Sequence, residues 1–119
     1  MNFQLVIDVA VLAGEIMQNS GAETYRVEDT INRILKASGV ETADAFATTT
    51  AIVATLSGQK DERITTVRRI TKRTTNLNRI YKVNELSRSL CEKKIDFAEA
   101  YESLNRIKEE KLQYSRKAV

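Results

Sequence analysis

The chain has 119 residues, enough for one domain with a real core, of which 42% are hydrophobic and 29% charged, the balance of an ordinary globular protein. It contains no histidine, no proline and one cysteine, Cys91, which excludes histidine triads, histidine-ligated metals, a histidine pH switch and an internal disulfide. The formal charge of +3 is uneven: residues 1–47 hold seven acids and three bases, and residues 48–119 nine acids and sixteen bases, so an acidic partner should prefer the later part.

Phe3 to Gln18 reads as a helix buried on most sides, because Leu5, Val6, Val9, Ala10, Leu12, Ala13, Ile16 and Met17 recur at spacings of three and four. Its longest apolar run, Val9 to Gly14, lies between Asp8 and Glu15 and falls far short of the roughly 20 residues that span a bilayer. Asn19-Ser20-Gly21 breaks the helix, with Gly21 free to adopt a left-handed conformation. Ser20 and Glu23 match a capping box for a second helix, predicted over Gly21 to Lys36 and packed on the first as a hairpin. Its apolar stripe is Val27, Ile31, Ile34 and Leu35, and Gly39 stops it.

From Val40 to Gly58 threonine, alanine and β-branched residues predict two strands, divided near Thr48-Thr49-Thr50. Ser57-Gly58-Gln59-Lys60-Asp61 reads as a hairpin loop, and Glu62 to Thr71 as a third strand with Arg63 and Arg69 on one face and Arg68 on the other. Asn76 caps a third helix over Leu77 to Leu90, with Ile80, Val83, Leu86 and Leu90 inward. Asp96 and Glu99 form a second capping pattern, before a fourth helix with Phe97, Ala100, Tyr101, Leu104 and Ile107 inward. The order α-α-β-β-β-α-α predicts a single α+β domain over 1–119, with helices covering one face of an antiparallel sheet of about three strands.

Wound at about 100° per residue, the second helix carries Tyr25, Arg26, Asp29 and Arg33 on one face, opposite its apolar stripe, with Glu23 and Glu28 flanking that stripe. Two readings follow. In one, Asp29–Arg33 and Glu23–Arg26 are surface ion pairs worth about 0.2–0.5 kcal/mol each. In the other, Tyr25, Arg26 and Asp29 line a cleft where the arginine clamps a carboxylate and the tyrosine donates a hydrogen bond. Glu15, one turn before the hairpin, would then approach Glu23, and two close carboxylates would raise one pKa for general-acid work.

Thr48, Thr49 and Thr50 offer hydroxyls but no activating base, so strand surface is the better reading. From Arg63 to Asn84 there is no acid, and Arg63, Arg68, Arg69, Lys72, Arg73, Arg79 and Lys82 supply seven positive charges. These read first as a solvated face and otherwise suit an acidic partner or anionic head groups; nucleic acid is disfavoured, because Tyr81 is the only aromatic available for stacking. Asn78, Asn84, Glu85 and Arg88 are expected to buttress the sheet through hydrogen bonds. Cys91 reads as a small packing residue. No metal cluster, phosphate loop or nucleophile elbow is present, so no cofactor and no metal are expected.

The runs LAGEIMQNSGAETYRVEDTINRI, FATTTAIVATL, VRRITKR and LNRIYKVNELSRSL resemble the N-terminal soluble domain of the threonine/serine exporter family, across about residues 10–92. The segment from Gly21 to Asp29 is the most specific part, with Leu77, Asn78, Val83, Asn84, Leu86, Ser87 and Arg88 adding weight. Thr48-Thr49-Thr50-Ala51 departs from the family's T-P-T-G-like turn, lacking its proline and glycine. The resemblance implies a domain on the cytoplasmic side of the membrane that gates, senses or helps assemble an exporter of small amino acids or dicarboxylates. Its partners would be a membrane-embedded portion of the same transporter or a companion subunit, with homo-oligomers as a further assembly. The binding residues expected, from the helical face and from charge rather than from the family, are Glu15, Glu23, Tyr25, Arg26, Glu28, Asp29, Arg69 and Arg73. The alternative is a hydrolase-like enzyme using Glu15, Glu23 and Glu28 with Arg26.

Overall fold

Seven elements follow one another in the structure, a computed structural model that describes residues 2–58, 62–71 and 73–117. They are α1 (Phe3–Asn19), α2 (Thr24–Ala37), β1 (Thr42–Ala47), β2 (Ala51–Ser57), β3 (Arg63–Arg69), α3 (Leu77–Cys91) and α4 (Phe97–Lys117). This is the α+β order read from the sequence. Among the described residues no helix is long and apolar enough to cross a membrane.

Helix α1 forms the centre. Val6, Ile7, Val9, Val11, Ala13 and Ile16 are fully buried, and each Val or Ile so placed contributes about 1.5–3 kcal/mol of hydrophobic stabilisation. Asn2 caps its start by accepting from the Leu5 N–H at 3.1 Å. Its end is a Schellman motif: the Ala22 N–H donates to Met17 O at 3.0 Å and the Gly21 N–H to Gln18 O at 3.1 Å, with Gly21 at φ +99°.

That motif overturns the expected capping box. Ser20 closes α1, its hydroxyl buried without a hydrogen bond, and α2 begins at Thr24 with Glu23 as an N-cap whose side chain bonds nothing at the helix end. The left-handed turn at Gly21 consumes the residues a Ser20 cap would need. The Asp96–Glu99 pattern does form a reciprocal box, with Glu99 N–H to Asp96 at 2.8 Å and Asp96 N–H to Glu99 at 3.1 Å. Asn76 caps α3 as expected, accepting from the Arg79 N–H at 3.1 Å.

The strands form an antiparallel meander, β1-β2-β3. Its inner face presents Ala45, Ala47, Ile52, Ala54 and Leu56 to the helices. Small residues bring the layers close: a Cβ on Gly14 would lie 2.5 Å from Ile31 Cδ1 of α2 and 3.3 Å from Ile52 Cδ1 of β2. Among the described residues the outer face carries no helix, and it shows Phe46, Val53 and Val67. Thr48 builds the β1–β2 turn, its hydroxyl accepting from the Ala51 N–H at 3.1 Å. In the β2–β3 hairpin the Gly58 N–H donates to Glu62 O at 2.9 Å, while Gln59, Lys60 and Asp61 lie outside the described residues, as does Lys72.

Candidate functional site

Packing fixes which side of α2 is free. Val27, Ile31, Ile34 and Leu35 are fully buried, so Tyr25, Arg26, Asp29 and Arg33 must turn away from the core. They turn toward α3, which runs beside α2 in the same direction. Gly21 approaches Thr74 and Thr75 ahead of one end of α3, and the Cys91 thiol lies 3.7 Å from Arg33 O at the other. Between the two helices lies a cleft of about 530 Å³. Tyr25, Arg26, Asp29, Thr30 and Arg33 form one wall; Asn84, Ser87, Arg88, Cys91 and Glu92 form the other.

Three arginines thus share the cleft with two carboxylates. Arg33 pairs with Asp29 at 3.0 Å, Arg88 leans back to Glu85 at 3.4 Å, and Glu92 reaches Lys94 at 3.1 Å. Arg26 has no ion pair among the described residues. The neighbouring Tyr25 is the main cause that holds its guanidinium above the ordinary pKa, and Glu23 adds to it. At neutral pH Arg26 is a charged, donor-rich group with no paired carboxylate among the described residues. Ser87 and Thr30 are nearly buried at the floor, where their hydroxyls can donate or accept.

The other expected binding residues go elsewhere. Glu15, with a side chain 15% exposed, is bound by Arg68 of β3 at 2.7 Å and lies 3.9 Å from Lys108 of α4. Glu28 accepts the backbone N–H of Ala47 at 2.8 Å, closing a strand-edge donor. Glu23 stands exposed at the start of α2. Glu15 is therefore committed to Arg68 and Glu28 to the Ala47 N–H, and among the described residues no contact joins either to Glu23. Arg69 projects from the outer face of the sheet and Arg73 from the exposed β3–α3 connection. The basic run is dispersed as well: Arg68 faces Glu15, Lys82 pairs with Glu110, and Arg79 is buried. Burial pushes the Arg79 guanidinium below its ordinary pKa, opposed by Glu110.

The expectation that α3 buttresses the sheet is corrected. Helix α3 packs against α1, α2 and α4, and Asn84 and Arg88 face α2 across the cleft. The sequence reading missed this second wall. Its signal is present: Asn84, Ser87, Arg88 and Cys91 recur at three and four residues, a polar stripe beside the apolar stripe of Val83, Leu86 and Leu90.

A family model described as "Putative threonine/serine exporter" matches residues 8–119. No curated protein and no solved structure matches the chain.

Proposed function

We propose, from the premise that this chain belongs to the threonine/serine exporter family, that it is a cytoplasmic, membrane-associated domain that senses a small amino acid. The α2–α3 cleft would hold the ligand and report it to a membrane-embedded partner. The observation that carries this reading is Arg26, charged and without an ion pair among the described residues, at a cleft that also holds Asp29 and Glu92.

The ligand class follows from the charges. A zwitterionic amino acid presents a carboxylate to Arg26 or Arg88 and an ammonium to Asp29 or Glu92. A hydroxyl on its side chain would meet Ser87, Thr30 or Asn84. A dicarboxylate such as succinate satisfies the arginines but leaves both cleft carboxylates facing like charge. Threonine and serine should therefore bind more tightly than succinate. A ligand-dependent change in the α2–α3 spacing would alter what the domain presents to its partner, which is a population shift in the ordinary sense.

Thermal unfolding with L-threonine, L-serine and succinate tests the reading. At ten times Kd the ligand stabilises the fold by about 1.4 kcal/mol, a rise of about 4–6 °C for a domain of this size. Arg26→Ala should remove the shift, whereas Arg106→Ala, on the exposed side of α4, should retain it. A shift that survives Arg26→Ala, or saturable binding of none of the three compounds, defeats the proposal.

A further inference from the structure

A second surface is independent of the cleft. On the outer face of the sheet Phe46, Val53 and Val67 are 60%, 36% and 66% exposed, and the strand register places them directly opposite one another. They form one unbroken apolar row across all three strands. Below it Thr55 and Thr65 meet through their hydroxyls at 3.0 Å. Asp44 opposes Thr55 and Arg69 opposes Ala51, so these two charges sit at diagonally opposite corners around Val53. Strand spacings put them about 16 Å apart, too far to pair within one chain.

We propose that this face pairs with the same face of a second copy of the chain, forming a two-fold dimer centred on Val53. A two-fold axis requires a self-complementary patch, in which residue i meets j and j meets i. The diagonal arrangement meets that condition. An in-plane two-fold over Val53, perpendicular to the Asp44–Arg69 diagonal, lays each Asp44 on the partner's Arg69 twice over. The apolar rows cross at the centre, and the strands of the two sheets cross steeply, in the orthogonal class of sheet packing. Growth at the β1 edge is blocked, because the Ala45 and Ala47 N–H groups are taken by the Asp44 and Glu28 carboxylates at 2.9 and 2.8 Å. The face, not that edge, is the surface left open.

Three short strands offer a footprint of only about 300–400 Å² per copy, below the roughly 800 Å² per partner of a standard interface, so the dimer is weak and concentration-dependent. Sedimentation equilibrium of the whole chain should show monomer–dimer exchange with Kd of about 50–500 μM. Val67→Asp should weaken it at least about tenfold, with Phe46→Ser at the other edge as the second variant of the same row. Asp44→Arg and Arg69→Asp should each weaken it about fivefold, and the double exchange should restore it to within about twofold of the parent. Three results overturn the proposal: a monomer up to about 1 mM, dimerisation indifferent to both row variants, or a double exchange no better than its weaker single. Binding to phosphatidylserine vesicles that Val67→Asp abolishes, with the protein monomeric in solution, also overturns it and makes a lipid surface the occupant.

Discussion

Helices α1 and α2 are neighbours in sequence and in space, yet α1 buries eleven of its seventeen residues and α2 only five of its fourteen. In α1 almost every side chain answers to packing: valines and isoleucines fill the centre, and the polar residues at its end are drawn into the fold. Gln18 is fully buried and donates to Thr48 O, and Ser20 has no exposed surface. In α2 packing dictates one stripe and leaves the other side unconstrained. Residues on that free side need a reason other than stability. Tyr25, Arg26, Asp29 and Arg33 stand across from a second polar wall rather than open water, the arrangement on which the proposed ligand recognition rests.

The comparison breaks first where the two helices touch. Ile31 of α2 is fully buried over Gly14 of α1. Ile31→Ala should cost about 3 kcal/mol, within the 2–5 kcal/mol of buried Ile→Ala changes, read from the midpoint of urea unfolding. Gly14→Ala should also destabilise, by about 1–2 kcal/mol despite alanine's better helix propensity, because its methyl group meets the Ile31 side chain. Ile31→Val removes Cδ1, the nearest atom. The double variant Gly14→Ala/Ile31→Val should therefore lose about 1 kcal/mol less than the sum of the singles. Strict additivity would mean that removing Cδ1 relieves none of the contact, leaving it all on Cγ1, 2.8 Å from the same point.

Much of the fold was legible because its signals are periodic and local. The apolar stripes of α2, α3 and α4 (apart from Tyr101, expected inward but exposed), the left-handed glycines that end α1 and α2, and the alternation of β3 each depend on residues close in sequence. Two S/D-x-x-E patterns show the limit. Asp96–Glu99 forms its box, whereas Ser20–Glu23 does not, because Gly21 is already committed to closing the preceding helix. Local motifs compete for the same residues, and the winner depends on what lies on both sides. The cleft was half legible for a related reason. One helix discloses its own free face, but Asn84, Ser87 and Arg88 join the site only through the parallel docking of α3 on α2, a contact between segments more than fifty residues apart. Glu15 and Glu28 fall outside it because their partners, Arg68 and the Ala47 N–H, come from strands whose register the helix pattern does not specify.

Glu28 sharpens the comparison, since it lies on α2 at the border of the two sides. Its carboxylate closes a backbone donor of β1, so it belongs with the structural residues although it sits within the charged segment. Glu28→Gln keeps an acceptor and loses the charge assistance, and should cost about 1 kcal/mol. Amino-acid binding should be unchanged, which isothermal titration at a temperature well below unfolding can check. Lost binding with stability intact would move Glu28 into the site and reverse its assignment.

The smallest change in stability should come from the residue pair that most resembles an ordinary surface contact. Asp29 and Arg33 are both more than half exposed, and such an i, i+4 pair is worth no more than about 0.5 kcal/mol. Asp29→Asn should therefore leave the unfolding midpoint nearly unmoved. Its effect on recognition should be larger and directional. Loss of the carboxylate removes one partner for a ligand ammonium and frees Arg33, so the cleft gains positive charge. Threonine should bind less tightly and succinate more tightly, and the preference between them should fall about tenfold, the equivalent of one charge-assisted hydrogen bond of about 1.4 kcal/mol. If the preference stays constant while the midpoint is also unchanged, Asp29 is a solvated surface residue, and the ammonium subsite must be assigned to Glu92 or abandoned.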